Sequence, residues 1–196
     1  MKKAIVLTIF MLLGSLTLQA QDFQLEDAYQ QDVKIRKTGM LILGSWALGN
    51  LLIGSIGRQN TVGTQKYFHE MNAFWNVVNL GIAGAGYYFT LKGDMPASSA
   101  AFMSDQISFQ KILLFNAGLD IAYIVGGLYM LEKSKNSLDK ADRWKGYGRS
   151  LLLQGAFLLS FDLILHQVHQ KNTTQFTDFL SHLYLSPQQI GWVHTF

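Results

Sequence analysis

The sequence predicts an all-α membrane protein, a four-helix bundle of antiparallel up-and-down spans preceded by a signal peptide. Three observations carry that expectation. Apolar blocks of about twenty residues recur four times, each long enough at about 1.5 Å per residue to cross roughly 30 Å of hydrocarbon. Inside the blocks, asparagines, aspartates and small residues return at helical spacing, so each cylinder carries a polar seam. Nearly all lysines and arginines fall outside the blocks.

Composition narrows the function classes. The chain has 196 residues, 49% of them hydrophobic and 15% charged, which fits one domain solvated by lipid. A net charge of +3 without a dense basic face excludes a nucleic-acid footprint. The absence of cysteine removes disulfides, thiolate nucleophiles and cysteine-ligated metals, leaving histidine, carboxylate and amide side chains as candidates for chemistry.

Met1 to Ala20 has Lys2 and Lys3, an apolar run and a small residue before Gln21, the parts of a signal peptide cleaved after Ala20. Leu18 is larger than the residue usual at that position, and an uncleaved anchor would leave the same side outside. Gln21 to Arg36 is polar without a continuous apolar face and reads as a juxtamembrane lead-in.

The first span is expected at 38–57, with Gly39, Leu43, Trp46, Asn50 and Gly57 facing inward. The second, at 69–91, places Asn72, Asn76, Asn79, Ala83 and Gly86 in one narrow sector. Gly93 and Pro96 break the chain before the third span at 109–131. There Asn116, Asp120, Tyr123 and Gly127 make one face and Gly118, Ala122 and Gly126 the other, which anticipates neighbours on both sides. The fourth span, at 147–168, carries Gly155, Asp162, His166 and His169 on one side. The remainder, 170–196, reads as a periplasmic or interfacial tail anchored by Trp192 and Phe196.

Six basic residues, Lys133, Lys135, Lys140, Arg143, Lys145 and Arg149, cluster between the third and fourth spans, and Arg58 and Lys66 lie in the first loop. Basic loops stay in the cytoplasm. The expected location is therefore a bacterial cytoplasmic (inner) membrane, multi-pass, with both mature termini periplasmic.

The candidate site is an intramembrane polar cluster of Asn79, Asn116, Asp120, Asp162 and His166, with Asn50, Asn72 and Asn76 as secondary members. An aspartate at the centre of a membrane helix costs roughly 2.5 to 3.5 kcal/mol on insertion scales. Two explanations compete for that cost. The residues are interhelical glue, each hydrogen bond contributing about 0.6 to 2 kcal/mol, or they form a proton relay or ligand pocket around Asp162 and His166. His169, Lys171 and His182 are expected at or beyond the interface.

No cofactor is expected, because paired Glu-x-x-His motifs and a second histidine at the depth of His166 are both missing. Gly81 to Gly86, GIAGAG, lacks the preceding strand of a phosphate loop. The default expectation is a non-enzymatic structural or accessory component of the membrane, in contact with lipid and with a membrane-protein partner or a second copy. The rival is a small transporter or a proton- or ligand-binding unit.

The runs FWNVVNLGIAG and FNAGLDIAY, set in a signal peptide plus four spans, resemble small bacterial inner-membrane proteins. That resemblance implies an architecture and carries no activity.

Overall fold

A computed structural model of the chain describes the backbone of residues 2–186 and 189–192 and the side chains of residues 24–179. Its elements are four helices, α1 (Lys2–Asn60), α2 (Gly63–Lys92), α3 (Ser99–Lys135) and α4 (Ala141–His182), followed by strands β1 (Leu183–Ser186) and β2 (Gln189–Trp192). The two strands pair as a short antiparallel hairpin. The expected anchor Phe196 and the side chain of Trp192 lie outside the described residues.

The helices start and stop where local chemistry allows. Two residues separate α1 from α2, and Gly63 makes that tight connection possible with a φ of 57°, a left-handed conformation glycine adopts without strain. The Ser98 hydroxyl caps α3 by accepting from the Ala101 amide at 3.2 Å. Lys133 and Lys135 end α3, and Asp142 sits in the first turn of α4, each with the sign that suits the helix dipole.

Packing makes two helical hairpins, α1 with α2 and α3 with α4, and α4 also lies against α1 and α2. One buried stripe of α4 runs through Leu151, Gly155, Leu158, Asp162, Leu165, His169, Asn172 and Phe176. Steps of four and three alternate along that stripe, the 3.5-residue rhythm of knobs-into-holes packing. Backbones approach closely where Gly127 faces Gly148. A methyl group built on Gly148 would sit 2.7 Å from the Gly127 carbonyl oxygen, so only glycine fits this crossing.

The polarity of the packed unit is inverted relative to a water-soluble bundle. Asn72, Asn76, Asn79, Gln106, Asp120, Ser150, Gln154 and Asp162 are buried. Leu41, Ile42, Leu52, Ile53, Ile56, Phe115, Val125 and Ile164 face outward. Large apolar surface turned outward on this scale fits lipid better than water. Three of the helices, α1, α3 and α4, are long and apolar enough to cross a membrane. α2, which contains the expected second span, falls short of that standard because three asparagines interrupt its apolar run.

Several sequence expectations change here. Residues 21–36 are helical and continuous with the first span, because Leu25, Ala28 and Asp32 recur at helical spacing and are buried. The start of the expected tail, 170–182, is likewise the end of α4, held by Asn172 and Phe176 on the same buried stripe. α3 begins at Ser99, ten residues before the expected span. Its second face is not covered by a neighbour, since added methyls on Gly118 and Gly126 would meet nothing within 4 Å.

Candidate functional site

The polar residues of the interior fall into three groups along the bundle. The first is an amide ladder joining α1, α2 and α4. Gln154 donates to the Asn72 side-chain oxygen at 2.5 Å and accepts from the Trp46 indole N–H at 3.1 Å. Asn72 in turn donates to the side-chain oxygen of Asn50 at 3.0 Å, and Asn50 donates to the Trp46 carbonyl at 2.9 Å. Trp46 is further held by stacking on Phe157, with ring centroids 3.8 Å apart. Four side chains on three helices thus satisfy one another, the arrangement that buried amides require.

The second group lines a cleft of about 160 Å³. Asn79 comes from α2, Asn116 and Asp120 from α3, and Asp162 from α4, with Trp75, Tyr123 and Phe161 among the aromatic walls. Asp120 and Asp162, from facing helices, are the two carboxyl groups of this cleft. The second oxygen of Asp120, Oδ2, and the indole N–H of Trp75 are buried without a hydrogen-bond partner. The cleft therefore differs in kind from the ladder, because it leaves buried polar atoms of its lining residues without partners.

His166 does not line this cleft. It is only partly buried, whereas His169, three residues on, lies on the buried stripe. Asn79, Asn116, Asp120 and Asp162 are thus brought together, Asn50 and Asn72 join the ladder, and Asn76 bonds the Asn72 carbonyl at 2.8 Å and links to Asn79 at 3.5 Å.

The third group is an ion cluster that the sequence reading passed over. His169, expected at the interface, is 0% exposed. Its Nδ1 lies 3.1 Å from Asp32 Oδ1 and 3.3 Å from Gln106 Oε1. Asp32 also pairs with Arg36 at 2.8 Å, and Arg36 reaches Asp105 at 2.6 Å. The Arg36 guanidinium lies 4.2 Å from the centre of the Phe109 ring, a favourable cation–π distance. Nε2 of His169 is buried without a hydrogen-bond partner among the described residues. The overlooked signal was the Asp32–Arg36 spacing of four together with the α4 stripe, which runs past residue 168 without changing rhythm.

Among the described residues, no group of three or more histidine or carboxylate side chains has the arrangement of a metal site. No curated protein and no solved structure matches the chain. Residues 42–163, more than half of the chain, match the model described as "Family of unknown function (DUF6992)", and the chain belongs to that family.

Proposed function

We propose that the chain is a multi-pass protein of the bacterial cytoplasmic membrane with a structural or accessory role. In this reading the four helices cross alternately up and down after a cleaved signal peptide, and both mature termini are periplasmic. The observation that carries it is the inverted polarity, with amides paired across helices inside and large apolar side chains outside. In lipid such a pattern is stable because apolar contact gives no preference for association, and interhelical hydrogen bonds and close packing hold the helices.

Contacts between neighbours support the alternation. Tyr29 meets Gly93 and Asn50 meets Asn72, so positions rise on α1 as they fall on α2. Helix length supports a protruding end. The 37 residues of α3 extend about 55 Å, well beyond a hydrocarbon core of roughly 30 Å. The excess includes Gln106 and lies level with Asp32 and His169, where ions are tolerated best.

Topology is open to direct test. Because the chain has no cysteine, a Ser137→Cys variant labelled in intact cells has no background. Ser137 lies between α3 and α4 and should react with an impermeant thiol reagent only after the membrane is permeabilised. Equal labelling in intact cells would refute the proposed orientation.

A further inference from the structure

We infer that the cleft between α2, α3 and α4 is a binding site for a small protonated amine, whose ammonium group is held by Asp120 and Asp162. The first ground is charge. Asp120 and Asp162 line the same cleft, and the ion pairs found among the described residues all lie elsewhere. An uncompensated carboxylate inside a membrane bundle is costly, and a cation within the cleft removes that cost.

The second ground is an atom already aimed at a ligand. Asp120 is 3% exposed, and its Oδ2 lies buried without a hydrogen-bond donor. Buried carboxylate oxygens are normally satisfied, so this one marks where an N–H donor belongs. Asn79 and Asn116 line the same space and offer amide oxygens to the other hydrogens of an ammonium group.

The walls choose between kinds of cation. Trp75, Tyr123 and Phe161 line the cleft, and the Trp75 and Tyr123 rings meet edge-on at 4.8 Å. Aromatic rings beside carboxylates suit an organic ammonium ion, and no group of three or more histidine or carboxylate side chains that could hold a metal is found among the described residues. Val78, Ile82 and Leu119 on the rim are exposed, so the cleft opens sideways between α2 and α3. An amine carrying a short alkyl chain can lay that chain along this apolar rim.

The inference takes the membrane-bundle reading as its setting, and the Ser137→Cys labelling tests that setting separately. The test of the site is calorimetric titration of the full chain in nanodiscs with n-butylammonium and, in parallel, with neutral 1-butanol. Saturable binding of the ammonium at least tenfold tighter than the alcohol supports the site. Binding in the Asp120→Asn, Asp162→Asn double variant should weaken at least tenfold. The site is overturned if ammonium and alcohol bind alike, if neither binds, or if a folded double variant binds as well as the parent. The wild-type comparison decides the matter even if the double variant does not fold.

Discussion

The two ends of the bundle's interior are held together by different chemistry. Toward the α1–α2 connection, Trp46, Asn50, Asn72 and Gln154 form a neutral ladder linked by hydrogen bonds. Toward the α2–α3 connection, Asp32, Arg36, Gln106 and His169 form an ion cluster that leaves Nε2 of His169 without a partner among the described residues. The ladder residues all fall within 42–163, the family-matched segment, whereas Asp32, Arg36 and His169 lie outside it. Neutral amides cost less than ions inside a membrane bundle, and ions cost least where helices extend past the hydrocarbon. The two helices common to both groups, α1 and α4, therefore change their means of cohesion along their length.

That contrast sets an order of expected effects. Asp32→Ala should be the most damaging, because it strips the carboxylate from both Arg36 and His169. Breaking a buried pair on one side costs about 3 to 5 kcal/mol, measurable as lost stability in a denaturation series in micelles. A loss under about 1 kcal/mol would mean that water already reaches the cluster. Asp162→Asn should act least, since it removes a buried acid that no ion pair among the described residues compensates. Stability should stay within about 1 kcal/mol of the parent or rise, checked by the same denaturation series. A large loss would assign Asp162 to cohesion and align the cleft with the ladder.

The ladder was legible in the sequence to a useful extent. Asn72, Asn76, Asn79 and Ala83 recur in one helical sector, and all four are buried. Gly39 and Leu43, expected to face inward on α1, are buried as well. Periodicity finds such seams because a helix converts spacing directly into a face. Partners were not legible, since Gln154 meets Asn72 and Trp46 from 82 and 108 residues away.

The ion cluster escaped for a different reason. Hydropathy ends the first and fourth spans where apolar residues thin out, near 38 and 168, yet the helices and their buried stripes continue. Charged residues ordinarily mark an exposed stretch. Asp32, Arg36 and His169 depart from that rule because each charge finds a partner on another turn or another helix. His166 illustrates the converse. It shares a broad side of α4 with Asp162, but the alternating three and four steps place His169 on the buried stripe in its stead.

The central claim is that the interior is sealed by side-chain amides bonded across helices, and a double-mutant cycle on Asn72→Ala and Gln154→Ala addresses it most directly. The two substitutions, made singly and together and followed by unfolding in micelles, should show a coupling of at least about 0.5 kcal/mol. Coupling is expected because either change alone leaves the other amide buried without its partner. Strictly additive losses would contradict the claim and leave the bundle held by packing alone.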